Sequence, residues 1–193
     1  STLFGRTLLT PNATTARIDL GAGFTTANAT NFNAGVFIAT TNGTDYAFRD
    51  TSGTAFMRAV DYTGAGNNLA AAGATLSSLT NSGSTTFTKV AGTVTAQAAG
   101  TFGALTMQGT GSLTIGAGNT ITLSTADNAA TGILKNGGGA ALITGGTLAL
   151  GTGTSAEALM RVDTTADTLT IASTITLPTS TGKIYKMGQG RLT

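Results

Sequence analysis

The chain has 193 residues, of which 9% are charged, and a formal net charge of +2 from ten basic and eight acidic side chains. This near balance provides no basic surface for nucleic acid, and no apolar run reaches the ~18 residues typical of a membrane-spanning helix. The absence of Cys and His excludes disulfides, thiolate metal sites and the Ser/His/Asp and Cys/His nucleophile systems.

The remaining composition predicts an all-β protein. Apolar residues make up 40% of the chain, Gly accounts for 28 residues and Pro for only 2. Thr, Ser, Asn, Leu and Ile are abundant, while the helix formers Glu, Lys and Gln are scarce. This mixture is typical of many short strands joined by tight Gly and Asn turns.

Residues 1–65 are predicted to form an irregular β-rich segment. Three apolar stretches, separated by two turn sequences, predict an antiparallel meander. Because terminal units of repeat proteins are commonly atypical, this segment is expected either to elaborate the fold or to cap its end. The stretches are Val36–Ala39, Tyr46–Arg49 and Phe56–Val60, and the turns are Asn42-Gly43 and Asp50–Gly53.

Residues 66–193 are predicted to form regular coils of a parallel β-helix, or β-solenoid. Apolar side chains alternate with small polar ones in four short segments, which begin with Thr93, Thr120, Thr147 and Thr174. These threonines follow one another at a constant interval, and a fixed interval of this size indicates stacked coils. We expect about 27 residues and three strands per coil, wound with a right-handed crossover. The first strands are predicted to centre on Leu79, Leu105, Ile133 and Met160.

Several Gly- and Thr-rich segments of the chain follow the pattern of a known repeat. Lys186–Thr193 reads K-x-G-x-G-x-L-T, and Gly109–Thr114 matches part of the same pattern. This pattern resembles the opening of the autotransporter-associated β-strand repeat of large bacterial surface proteins. The run from Gly132 to Ile171 is similar to the spacer between repeats. The resemblance implies secretion to the extracellular bacterial cell surface and a role as a stalk, adhesive passenger or fibre subunit. It supplies no catalytic residues.

The acidic residues do not indicate a catalytic site. Polysaccharide hydrolases need two or three carboxyl groups that converge on one face, and no two of the eight acids are one coil apart in the regular region. Asp163 and Asp167 are close in sequence, but they are predicted to form a solvated polar turn. We therefore predict a non-enzymatic protein without a cofactor or metal. A carbohydrate-binding or polysaccharide-processing β-helix is the first alternative.

Three cations are candidates for a polyanion-binding surface. They are predicted to occupy equivalent positions on the first strands of successive coils, where like charges under ~5 Å apart repel each other. Such a column either extends into solvent, which is the favoured interpretation, or binds a polyanion. The residues are Lys135, Arg161 and Lys186.

Threonine columns are the second candidate binding surface. If the apolar residue of each alternating segment points inward, the threonines beside it point outward and stack with those of the next coil. A lattice of this kind resembles the ice-binding face of some solenoid antifreeze proteins, while an ordinary strand surface is the plainer interpretation. The residues are Thr93, Thr95, Thr120, Thr122, Thr147, Thr174 and Thr176.

Two partners are expected for such a chain. The first is a glycan or another cell-surface ligand. The second is another copy of the chain, because the outermost coils of a solenoid expose unpaired strand edges that pair head to tail into linear assemblies. The chain starts at Ser1, without an initiator Met or a signal peptide, so we expect a processed fragment or an excised part of a longer protein.

Overall fold

The computed structural model of the protein describes residues 8–9, 18–19, 37–40, 43–50, 56–125, 130–152, 157–178 and 182–193. In these residues all regular secondary structure is β-strand, which confirms the predicted all-β class. The strands form two sheets, one of five strands and one of thirteen. No helix in this part of the chain has the length and apolar character needed to cross a membrane.

The smaller sheet is built from five short strands. They are β1 (Leu8–Leu9), β2 (Ile18–Asp19), β3 (Phe37–Thr40), β4 (Gly43–Asp50) and β5 (Phe56–Ala59). Strand β4 pairs antiparallel with both β3 and β5, which confirms the predicted three-stranded arrangement. Residue 42 of the first predicted turn and residues 51–53 of the second lie outside the described part of the chain. We refer to β3–β5 and the following Val60–Tyr62 as the meander.

The larger sheet consists of thirteen parallel strands, and it curls until it nearly closes on itself. Its strands stack in three rows. Row A contains β6 (Asn68–Ala70), β8 (Gly83–Val90), β10 (Gly100–Gln108), β12 (Ala130–Asn136), β14 (Glu157–Val162) and β17 (Lys183–Met187). Row B contains β7 (Thr75–Leu76), β9 (Thr93–Gln97), the first parts of β11 (Ser112–Leu123) and β13 (Gly139–Leu150), β15 (Asp167–Ile171) and β18 (Arg191–Leu192). Row C contains the start of β10, the last parts of β11 and β13, and β16 (Thr174–Thr176).

The interval between paired residues changes along the chain. Ile121, Leu148 and Ile175 pair in succession, so the predicted constant interval is correct in this region. Earlier in the chain it is wrong, since Val94 pairs with Leu113, which is much closer in sequence than one predicted coil. The reason is that β10 runs through rows C and A as one bent strand, whereas β11 and β13 end in row C and row A resumes several residues later. Leu79, predicted at the centre of a first strand, lies between β7 and β8 and belongs to neither.

Glycine forms the sharp corner between rows B and C in β13. Gly145 has φ +73°, a left-handed conformation that residues with a Cβ rarely adopt. A Cβ at Gly145 would also overlap the carbonyl oxygen of Ile115 on the neighbouring strand. Both the dihedral angle and the close approach of the backbone therefore require glycine here.

Two separate groups of buried apolar side chains stabilise the described structure. The first fills the interior of the curled sheet and includes Val94, Leu113, Ile143 and Leu148. The second lies between the meander and the outer side of row A. Its members are Phe37, Tyr46, Val60, Tyr62, Phe87, Ala104 and Leu134. The meander therefore packs against the side of the larger sheet.

Candidate functional site

Most of the predicted threonines form two neighbouring columns on row C. Thr120, Thr147 and Thr174 pair in succession, as the constant interval predicts. Two residues further along each strand, Thr122 and Thr176 form a second column, in which Ala149 takes the middle position. The side chains between the columns, Ile121 and Leu148, are fully buried, whereas Thr174 and Thr176 are exposed.

Two of the predicted threonines lie elsewhere, on row B. Thr93 pairs with Thr75 and Ser112, and Thr95 is an exposed residue of β9 whose hydroxyl donates to the Leu76 carbonyl oxygen at 3.3 Å. Thr101 extends the second column of row C instead, because it pairs with Thr122. A search at a constant interval misses Thr101, since these two threonines are closer in sequence than one predicted coil.

The three predicted cations do not form one column. Leu134 is paired with Arg161, and Met160 with Lys186, on neighbouring strands of row A. Lys135 therefore pairs with the residue after Arg161, Val162. An offset of one residue turns a side chain to the opposite face of a sheet, so Lys135 and Arg161 point to opposite faces. Lys186 is exposed, while Lys135 is fully buried.

Lys135 lies inside the curled sheet, where it forms an ion pair with Asp167. Its ammonium donates to the Asp167 carboxylate at 2.7 Å, to the Gly138 carbonyl oxygen at 2.7 Å and to its neighbour's carbonyl oxygen at 2.8 Å. The carboxylate also accepts from the backbone of Gly138 and from the backbone and hydroxyl of Thr164. Every hydrogen of the ammonium group is thus used, as a buried charge requires.

Asp163 holds the meander against row A. Its carboxylate accepts from the backbone N–H of Thr44 at 3.1 Å and from the Thr44 hydroxyl at 2.9 Å. Arg161 donates two further hydrogen bonds to it and also lies over the Phe37 ring at 5.2 Å. The Asn136 side-chain amide donates to the Thr44 carbonyl oxygen. Residues 164–166 form an exposed turn, as predicted, but the Asp163 and Asp167 side chains on either side of it are buried, so the prediction that they are solvated is wrong.

A second polar cluster joins the meander to the earlier strands β8 and β10 of row A. The Tyr62 hydroxyl donates to Asp45 at 2.6 Å and forms a 2.8 Å hydrogen bond with Thr106 on row A. Lys89 of row A forms a 3.0 Å ion pair with Asp45 and lies over the Tyr62 ring at 4.2 Å. Burial, and then the charge of Asp45, raise the pKa of Tyr62 and that of Tyr46 well above 10. Both phenols are therefore held neutral.

A small open pocket of about 180 Å³ lies beside this interface. Its polar groups are already engaged within the chain. Asn67 donates to the Asp61 carbonyl oxygen and accepts from the Phe87 backbone, and the Asp61 carboxylate accepts from Thr63, which lowers the pKa of Asp61. The lining residues are Phe48, Arg58, Val60, Asp61, Gly64, Ala65 and Asn67.

The described residues contain no group of three or more Asp, Glu, His or Cys that could hold a metal ion. Comparisons with protein-family models, curated proteins and solved structures found no match. The charged side chains on row A connect it to the meander and to row B. Row C carries the two ordered threonine columns.

Proposed function

We propose that the chain is a right-handed β-solenoid that serves a structural or adhesive role as a stalk, passenger or fibre subunit of a secreted bacterial surface protein. One observation carries the proposal: side chains of successive parallel strands stack in continuous columns inside the curl, such as Val94, Leu113, Ile143 and Ile171. Each strand thus continues the row begun by the previous one, and this allows a chain to lengthen without a new core.

The charged side chains support a structural role over a catalytic one. Lys135 and Asp167 link rows A and B inside the curl, and Asp163 and Asp45 link row A to the meander. A catalytic acid needs access to substrate, whereas these carboxylates are buried and already bonded to neighbouring groups.

The test combines solution scattering with a search for activity and ligands. We expect the full chain to scatter as an elongated rod and to release no reducing ends from a panel of polysaccharides. A glycan array run on the same protein tests adhesion. Catalytic release of sugar by the wild-type chain would overturn the non-enzymatic role and support the polysaccharide-processing alternative, and one defined glycan ligand would support the carbohydrate-binding alternative.

Ice binding by the row C columns is the second candidate, and the register of Thr120, Thr147 and Thr174 favours it. The matched variants are Thr147→Lys on row C and Thr93→Lys on row B. If row C binds ice, the wild-type chain and Thr93→Lys inhibit ice recrystallisation and Thr147→Lys does not. Equal activity of the two variants, or none in the wild-type chain, counts against this candidate.

Linear self-association is part of the structural proposal. Strands β16, β17 and β18 form one margin of the described sheet, and β6 and β7 form the other. Ile175 and Ile184 at the first margin are 39% and 40% exposed. We expect Ile184→Lys to reduce the assemblies seen by sedimentation and electron microscopy, whereas Leu142→Lys, at a similarly exposed position away from the margin, leaves them intact. A wild-type chain that remains monomeric at micromolar concentration would contradict self-association.

A further inference from the structure

The outer side of row A carries one column of side chains that contact the meander or the apolar cluster between the meander and row A. Register places one residue of each of five successive strands in this column, from β8 to β17. Their contacts are an ion pair, a hydrogen bond, apolar packing, a cation–π contact and further apolar packing. The residues are Lys89, Thr106, Leu134, Arg161 and Met187.

We propose that the meander is a lateral brace that couples these five strands, so that they open together instead of one after another from a margin. In a stack of coils each unit contacts only its neighbours, and stability is then a sum of nearest-neighbour interactions. The meander crosses the stack and therefore adds contacts between units that do not touch each other. This role goes beyond the structural function proposed above.

The brace is bound by side chains to two separate strands of row A. The carboxylate of Asp163, directly after β14, accepts from Thr44, while Lys89 of β8 forms an ion pair with Asp45. Thr44 and Asp45 are consecutive residues of β4, so a displacement of the backbone at one contact also alters the other. In the described residues the meander and the larger sheet are separate sheets, without a shared strand pair.

The experiment is hydrogen exchange measured by mass spectrometry on the full-length chain. Asp163→Asn removes the charge that holds Thr44, and the readout is the protection of the amides of β8, three strands away in row A. A hydrogen bond to a charged group contributes more to stability than one between neutral groups. We therefore expect roughly a tenfold or greater loss of amide protection, in the meander and in β8 together. Met160→Leu, which alters β14 from its inner side, is the matched control. It should leave the protection of the β8 amides within about twofold of that in the wild-type chain.

Two results would overturn the brace. One is an Asp163→Asn chain in which only the meander exchanges faster while β8 is unchanged. The other is a Met160→Leu chain that loses protection at β8 as strongly as Asp163→Asn does. If Asp163→Asn does not fold, Thr44→Val removes a single hydroxyl contact with Asp163 and is read in the same way.

Discussion

Lys135 and Asp167 form an ion pair of 2.7 Å in the interior of the curled sheet, and both side chains are completely inaccessible to solvent. Lys135 belongs to β12 of row A and Asp167 to β15 of row B, so the pair joins two rows across the core. Two buried charges are costly to desolvate, and the cost is offset here because backbone and hydroxyl groups complete their hydrogen bonds.

Removing one charge of this pair should be strongly destabilising. Lys135→Met leaves the Asp167 carboxylate buried without its cation, and the cost of breaking such a pair is about 3–5 kcal/mol. Lys186→Met, at an exposed position on β17, is the control and should change stability by less than about 0.5 kcal/mol. Urea unfolding of both variants measures the difference. Similar midpoints would mean that the ion pair is not buried in the folded protein.

The stability of the protein should fall in acid, in part through Asp167. Burial raises the pKa of this carboxyl, but hydrogen bonds from Lys135 and Thr164 outweigh burial and hold the pKa below its usual range. The stability that Asp167 contributes is therefore present above its unfolded pKa of about 3.9 and is lost as the pH falls through the lower folded value. The midpoint temperature of thermal unfolding should fall less steeply for Asp167→Asn than for the wild-type chain between neutral pH and about pH 2. An equal fall of the midpoint in both chains would contradict this role of Asp167.

A second loss of stability is expected at high pH, in the meander. Burial and the nearby charge of Asp45 raise the pKa of Tyr46 and Tyr62, so their neutral forms stabilise the fold below the unfolded pKa of about 10. This contribution is lost as the pH rises through the folded values. We expect two of the three tyrosines to ionise together with the loss of near-ultraviolet circular dichroism. Ionisation of all three before any loss of structure would argue against a buried position for Tyr46 and Tyr62.

Two leucines of β13 test which side chains point into the curl and which point outward. Leu148 is fully buried inside the curl, whereas Leu142 is 37% exposed. Leu148→Asp places an unpaired charge in the core and should unfold several strands together, because neighbouring strands lose their common packing. Leu142→Asp should cost less than about 1 kcal/mol. Equal stability of the two variants, measured by thermal unfolding, would show that the register is wrong.

The threonines show how far a repeat interval alone can predict a surface. Thr120, Thr147 and Thr174 are correctly placed in one column, because the connections between their strands have equal length. Thr93 is misplaced, because the part of the chain before Thr120 runs through rows C and A without the additional connecting residues. Nothing local in the sequence marks this change in the interval between paired residues.

The all-β class, the antiparallel meander and the alternation of buried and exposed positions could be predicted from the sequence, since they depend on side-chain pattern and turn residues close in the chain. Which strands face each other, and which cations are buried, is set by the tertiary structure. Register depends on the length of every connection, and an offset of one residue moves a side chain to the other face. For this reason Lys135 and Arg161, both predicted on one surface, lie on opposite sides of row A: Lys135 binds Asp167 inside the curl, while Arg161 contacts the meander outside it.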